Sequence, residues 1–185
     1  MTAEAESPVA EMHAVYAGPI DTSALARIFK GCTTAINNNV PHLHLLMQST
    51  GGYVGDGVCL YNFFRVMPIP LTLYNAGGLQ SIATLAFLGA RNRKVSAHAS
   101  FMVHRTHLSP EWANADRLRA SASLAILDDE RTESILREHL TLPDELWFRH
   151  RYEDIFMSAD DAIKYGLATA IGDFALPLGG KIYAL

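Results

Sequence analysis

The chain has 185 residues, of which 49% are hydrophobic and 18% are charged, and its formal net charge is −4. This length and composition favour one globular domain with a single core, and an acidic balance without a basic stripe argues against a nucleic-acid partner. The apolar content is slightly high, which favours contacts between subunits.

The first 18 residues are acidic and lack the basic and then apolar order of a signal peptide. No apolar run approaches the ~20 residues that span a bilayer. Cys32 and Cys59 lie in apolar stretches, without CxxC or Cys/His metal spacing. We therefore expect buried free thiols, no membrane association and a cytoplasmic location.

In chain order, residues 1–11 are rich in Ala, Glu, Ser and Pro and are expected to be disordered, followed by a single domain over 12–185. Apolar runs and alternation predict strands at 12–18, 42–49, 70–77, 93–98, 100–107, 154–158 and 167–173. Helical spacing predicts helices at 19–38, 58–67, 81–90, 110–140, from 143 onwards and at 158–166.

The ends of two of these helices have capping signals. The first helix has a cap near Asp21 or Thr22, and the last begins at Ser158 with Asp161 in the capping-box position. Glycine-rich turns are predicted at 50–57 and around Gly77 and Gly78. The alternation of strands and helices is that of a right-handed parallel α/β unit, in which sites lie at the carboxyl ends of strands.

Ser81 is the first candidate functional residue, because it lies where a predicted strand gives way to an apolar helix. A helix N-terminus has unpaired N–H groups and a partial positive charge. A serine at this position is either a helix cap or a nucleophile. Ala83 stands where the G-x-S-x-G motif has its last glycine, which disfavours an α/β-hydrolase elbow.

Two further features accompany Ser81. Gly51 and Gly52 end a predicted strand, and paired glycines allow backbone N–H groups to point at an anion, as an oxyanion hole requires; an ordinary turn is the alternative. His104 and His107 lie at the end of another strand, where a histidine is either a general base or a polar surface residue.

Four segments in this order, STGG, GGLQS, MVH and DIFMSADDAIKYGLA, resemble the Clp protease proteolytic subunit (ClpP) family. In that family a strand ends in Ser-Pro-Gly-Gly, a glycine stands four residues before the nucleophilic serine, a strand ends in Met-Ile-His, and an acid precedes Phe-Leu-Ser/Thr-Ala by two residues. The resemblance covers roughly residues 13 to 173. It implies an α/β fold of the ClpP/crotonase type, with repeated ββα units, a parallel sheet and a protruding handle helix.

The resemblance implies a role for each matching residue. Ser81 takes the position of the nucleophile, His104 that of the base and Asp154 that of the acid that orients the imidazole. The N–H groups of Gly52 and Ile82 take the positions of the oxyanion hole. The implied protein is a serine endopeptidase with no metal and no cofactor. Its substrates are peptides or unfolded proteins, it works in a homo-oligomeric ring of the heptameric kind, and an AAA+ unfoldase is its partner.

Several positions depart from the family pattern. Thr50 replaces a proline, Ile82–Ala83 replace Met-Gly after the serine, and Arg105 and His107 replace a Gln-Pro and glycine-rich stretch after the base. Tyr152–Glu153 stand where the family has the Asp/Glu-Arg pair that links two rings. The strand at 12–18 begins where an N-terminal hairpin that engages the unfoldase is expected in the family.

Three alternatives remain beside a plain structural or interaction protein. The first is a catalytically latent ClpP-like subunit or regulator. The second is a crotonase-fold acyl-CoA enzyme, in which the two glycine turns hold the oxyanion of a thioester. The third is a Ser-Lys peptidase, for which Lys94 is the only nearby lysine.

Overall fold

The computed structural model describes residues 10–109 and 113–185. The strands are β1 (Met12–Ala17), β2 (Leu43–Ser49), β3 (Leu71–Gln80), β4 (Asn92–Val95), β5 (Ser100–Val103), β6 (Ile155–Ser158), β7 (Ala170–Ile171) and β8 (Ile182–Ala184). The helices are α1 (Thr22–Asn37), α2 (Val54–Arg65), α3 (Ile82–Leu88), α4 (Ala115–His139), α5 (Asp144–Arg149) and α6 (Ala159–Lys164).

The strands form one mostly parallel sheet in the order β6-β5-β3-β2-β1-β8, and β4 joins β3 to β7. The first part of β3 pairs with β4 and its last three residues pair with β5, so β3 serves two neighbours on one edge. Only the β5–β6 pair among the described strands is antiparallel. The expected α/β class with a parallel sheet is confirmed.

The core lies between the sheet and the helices that cross it. On β2 the alternation predicted from sequence holds: Leu43, Leu45 and Met47 are fully buried. All seven residues of α3 are buried, as is typical of a helix that is apolar on every side. Burial of α3 fixes its N-terminus, and with it Ser81, at the centre of the fold.

Helix α4, the expected handle helix, projects from this core. Its buried residues, Asp128, Thr132, Ile135 and Leu136, all lie in its second half. Its first half exposes large apolar side chains such as Leu118 and Leu124. A 25-residue helix packed only at one end is consistent with a protruding element.

The glycine turn predicted at 50–57 is confined to residues 50–53, and the one predicted around Gly77 and Gly78 lies within a strand. Helix α2 begins at Val54, four residues before the prediction, and includes two glycines of the 50–57 segment. Strand β3 continues through Gly77 and Gly78 with an irregularity opposite Gln48, because its pairing with β5 begins at Gly78 and its pairing with β2 resumes at Leu79. The Gln48 side chain accepts a hydrogen bond from the Gly78 N–H at 2.7 Å.

The predicted caps of two helices are confirmed. The Asp21 carboxylate accepts a hydrogen bond from the Ala24 N–H at 2.7 Å, which begins α1. Ser158 and Asp161 form the capping box that begins α6. Other boundaries differ: β5 ends at Val103 rather than at 107, and the short strand β8, which sequence analysis missed, pairs with β1.

The expectations for the termini and cysteines have mixed outcomes. Of the segment expected to be disordered, residues 1–9 lie outside the described residues, as do residues 110–112 of the predicted long helix. Cys32 is buried, and burial raises its pKa to about 12. The prediction that Cys59 is buried is wrong, because it lies on the exposed face of α2. Within the described ranges, every helix is too short or too polar to cross a bilayer.

Candidate active site

Ser81 occupies the junction between β3 and α3. Its N–H donates to the carbonyl oxygen of Met102 at 2.8 Å, and its φ angle is 55°, which is unusual for a residue other than glycine. Its hydroxyl makes no capping bond to α3. Instead Ser81 Oγ lies 2.7 Å from Nε2 of His104. The helix-cap interpretation of Ser81 therefore does not fit the structure.

The turn after β2 approaches Ser81 closely. Gly51 has a φ of +101°, and a Cβ added there would lie 2.7 Å from Cβ of Ser81. Gly52 forms a parallel bridge with Ile20. The two hydrogen bonds of this bridge run from the Ile20 N–H to the Gly51 oxygen and from the Tyr53 N–H to the Ile20 oxygen. They leave the Gly52 N–H without an acceptor among the described residues. Glycine at these positions therefore brings backbone close to the hydroxyl.

The N–H of Ile82 is the second donor near Ser81. As the first residue of α3, Ile82 has an N–H with no acceptor inside the helix. A cavity of about 280 Å³ opens beside Ser81 and is lined by both Gly52 and Ile82. Two N–H groups not used by secondary structure thus border one cavity with a hydroxyl.

His104 and Asp154 complete the arrangement less tightly. Oδ1 of Asp154 lies 3.7 Å from Nδ1 of His104, which is longer than a hydrogen bond. This nitrogen is buried and has no hydrogen-bond partner among the described residues. The Asp154 side chain is 45% exposed. The structure thus brings the three predicted residues together. The contact between His104 and Asp154 exceeds a hydrogen-bond distance by several tenths of an ångström.

The environment of His104 favours the neutral imidazole. Burial lowers its pKa below the ordinary value, and positive charge on His107 lowers it further. The carboxylates of Asp154 and Asp129 oppose this change. A neutral imidazole with a free lone pair is the form that accepts a proton.

Two hydrogen bonds that the sequence does not predict hold the segment after His104. Asp129 on α4 accepts a hydrogen bond from Nε of Arg105 at 2.8 Å and from the Thr106 N–H at 2.7 Å. These bonds join the segment to the buried end of the handle helix. The spacing between 105 and 129 gives no local sequence signal, because the contact depends on how the helix packs.

His107, to which sequence analysis gave no fixed role, lies against the base. Its ring is edge-on to the ring of His104, with 4.4 Å between centroids and 88° between planes. It also lines the cavity at Ser81. Lys94, in contrast, lies over the ring of Tyr74 and is absent from the residues that line this cavity. The Ser-Lys alternative has no support from this placement.

A second group of histidines lies near the start of β1 and β2. We call His13, His42 and His44 the histidine stack, because their rings lie face to face at 4.2–4.5 Å. Nδ1 of His44 contacts the Tyr74 hydroxyl at 2.9 Å, and its Nε2 contacts Glu11 at 3.2 Å. Burial lowers the pKa of both His42 and His44. No sequence pattern predicts a function for these residues.

Comparison with known proteins supports the resemblance seen in the sequence. The ATP-dependent Clp protease proteolytic subunit 1 of Chlamydia felis is 28% identical over 127 residues, which cover 68% of this chain and 62% of that protein. Subunit 2 of Chlamydia abortus gives the same values. The ATP-dependent Clp protease proteolytic subunit of Deinococcus radiodurans is 24% identical over 138 residues, or 74% of this chain and 67% of that protein.

These alignments leave part of each relative unmatched, and the chain spans less than two thirds of the length of the chlamydial proteins. The family comparison covers more of the chain, since the Clp protease model matches residues 7–174. The mostly parallel sheet agrees with this match. On these grounds the chain belongs to the Clp protease family.

Proposed function

We propose that this protein is a serine peptidase of the ClpP type, with Ser81 as nucleophile and His104 as general base. The observation that carries the proposal is the 2.7 Å contact between Ser81 Oγ and His104 Nε2 at the N-terminus of a buried helix. A nucleophile and a base within hydrogen-bond reach are the minimum that this chemistry needs.

The reaction follows from these positions. Oγ of Ser81 attacks the carbonyl carbon of a peptide bond while Nε2 of His104 takes the hydroxyl proton. The N–H groups of Gly52 and Ile82 stabilise the oxyanion of the tetrahedral intermediate. His104 then gives its proton to the leaving amine. Water, deprotonated by His104, releases the acyl group and restores the serine.

Asp154 acts on the base rather than on the substrate in this proposal. Its carboxylate faces Nδ1 of His104 and stabilises the imidazolium that forms when the ring takes the proton. The present separation of 3.7 Å requires a small movement of an exposed loop to make a hydrogen bond. Contacts of this kind often tighten only when substrate binds.

Assembly and partners are also part of the proposal. The exposed apolar half of α4 supports a homo-oligomer, since an isolated chain would leave these side chains in water. A ring of seven chains that cleaves peptides, or unfolded protein delivered by an AAA+ unfoldase, is the assembly we propose from family membership. The free thiols of Cys32 and Cys59 support a reducing location such as the cytoplasm.

Covalent labelling tests the nucleophile directly. Purified protein is treated with a fluorophosphonate and its intact mass is measured, beside the variants Ser81→Ala and His104→Ala. We expect one adduct per chain in the wild type and none in either variant. Circular dichroism of the variants confirms that they are folded. A folded wild-type oligomer that gains no adduct would overturn the proposal.

A catalytically latent subunit is the second candidate function, and one observation favours it. The unpaired Nδ1 of His104 and the exposed Asp154 leave the base without a firm orienting bond. If the protein is a latent subunit, the fluorophosphonate should form no adduct at any concentration of substrate or partner. Size-exclusion chromatography should still show the intact oligomer. A rise in melting temperature with acyl-CoA and no adduct would instead support the crotonase-type alternative.

A further inference from the structure

His104 lies beside two further groups that can bind a metal ion, His107 and Asp154. His104, His107 and Asp154 each place a possible ligand atom within 4.8 Å of the other two. They come from two segments that are far apart in sequence. For this reason the sequence shows no metal-binding motif with a regular spacing. His107 and Asp154 are exposed, so an ion can reach the cluster from solvent.

The distance between His104 and Asp154 suits two ligands of a tetrahedral ion better than a hydrogen bond. The 3.7 Å between Nδ1 of His104 and Oδ1 of Asp154 is too long for a hydrogen bond. Two ligands of a tetrahedral zinc, each at about 2.0–2.1 Å from the ion, lie roughly 3.3–3.4 Å apart. The buried, unpartnered Nδ1 therefore needs only a small adjustment to become a ligand.

The orientation of the imidazole rings distinguishes this cluster from a second group of possible metal ligands at the histidine stack. An imidazole binds a metal along a direction in its own plane, and the rings of His104 and His107 are almost perpendicular, so these directions can meet at one point. Glu11, His42 and His44 also lie within 4.8 Å of one another. There the two imidazoles are stacked with only 15° between planes, so their lone pairs run side by side.

We propose that a borderline divalent cation of the zinc type binds to His104 Nδ1, His107 and Asp154 and reversibly inhibits the site. Two imidazoles and a carboxylate are a preferred ligand set for zinc, and a water would complete the tetrahedron. Hard cations such as Mg²⁺ prefer oxygen ligands and should not compete.

The mechanism of inhibition follows from the tautomer. A neutral imidazole bound to a metal through Nδ1 has its single proton on Nε2. Nε2 then donates to Ser81 Oγ and has no lone pair with which to accept the serine proton. The ion also occupies the carboxylate that stabilises the imidazolium. This inhibition rests on the proposed peptidase function, whereas binding of the ion does not.

Binding is measured without reference to activity. Full-length Ser81→Ala protein is titrated with Zn²⁺ against a chromophoric chelator, and with Co²⁺ while the visible spectrum is recorded. We expect one ion per chain and the intense absorption of tetrahedral Co²⁺. His107→Gln in this background should weaken binding at least about tenfold, and the matched His44→Gln change in the histidine stack should leave binding unchanged.

Inhibition is measured as the ratio of fluorophosphonate labelling rates with and without Zn²⁺. In the wild type we expect one equivalent of bound Zn²⁺ to slow labelling at least about tenfold, a chelator to restore it and Mg²⁺ to have no effect. In His107→Gln the ratio should return to near one. Zinc that binds equally well after His107→Gln, or that is lost with His44→Gln, would overturn the inference. Zinc binding that requires His107 in a protein that never labels would instead reject the peptidase proposal and leave the metal site standing.

Discussion

The contact between helices α2 and α3 sets the position of Ile82. Adding a single methyl group at Gly57 tests this. A Cβ added at Gly57 would lie 2.1 Å from Cγ1 of Ile82 and 3.1 Å from its Cβ and Cγ2. Carbon atoms in contact lie about 3.5–4.0 Å apart. In Gly57→Ala one of the two helices must therefore move by roughly 1.5 Å.

The size of the effect combines two opposing contributions. Overpacking a core costs about 1–3 kcal/mol, while replacing glycine by alanine inside a helix returns about 0.5–1 kcal/mol. We expect Gly57→Ala to lower the free energy of unfolding by about 1–2 kcal/mol, and the melting temperature by about 2–8 °C for a chain of this size. Labelling of Ser81 should slow at least about tenfold, because the Ile82 N–H moves with its residue.

Gly55→Ala is the matched control for this experiment. It lies in the same helix, and the nearest atom to its added Cβ is Nη2 of Arg131 at 3.9 Å, an ordinary contact. We expect unchanged or slightly higher stability and wild-type labelling. Differential scanning calorimetry at equal protein concentration and timed mass spectrometry compare the three proteins. If Gly57→Ala melts and labels like Gly55→Ala, the argument that close helix packing positions Ile82 is refuted.

Three further predictions concern charge and the histidines. The acid limb of the labelling rate against pH should have its midpoint below 6.5, because burial lowers the pKa of His104 from that ordinary value; a midpoint at or above 6.5 would contradict this environment. Asp129→Ala should slow labelling several-fold, because it releases the segment after His104. Asp116→Ala, on the exposed start of the same helix, should leave the labelling rate unchanged. Equal rates in the two variants would show that the hydrogen bonds of Asp129 do not affect labelling. In the histidine stack the folded-state pKa values of His42 and His44 are lowered, so the unfolded chain takes up protons first as pH falls. The free energy of unfolding should therefore decrease as the pH falls below about 6.5, and it should decrease less in His44→Gln than in the wild type. Urea titrations at pH 7.5 and 5.5 measure the decrease in each protein, and equal decreases would contradict the prediction.

Much of the sheet was predictable because its signals are local. Alternation along β2 and the caps at Asp21 and Ser158 depend on residues close in sequence, and the structure confirms them. The candidate site required the order of four motifs along the chain. No periodicity relates Ser81 to His104 or Asp154, so only the resemblance could bring them together.

The features that sequence analysis missed depend on tertiary packing. Gly77 and Gly78 have the chemistry of a turn, but the chain remains in β3 because pairing with β5 begins at Gly78 and pairing with β2 resumes at Leu79. Gly57 lies inside a helix, at a position where Ile82 fills the space that a side chain would occupy. Cys59 has apolar neighbours in sequence but points away from the core. Each outcome is decided by what a neighbouring element presents, which the local sequence does not encode.

The backbone at Ser81 has a consequence for the thermal stability of the protein. A non-glycine residue held at a φ of 55° and a ψ of −133° stores of order 1–3 kcal/mol of strain. Alanine at this position retains that strain, and glycine releases it. Ser81→Gly should therefore melt at a higher temperature than the wild type, although it has no hydroxyl at this position. The serine that we propose as the nucleophile thus lowers the stability of the folded state.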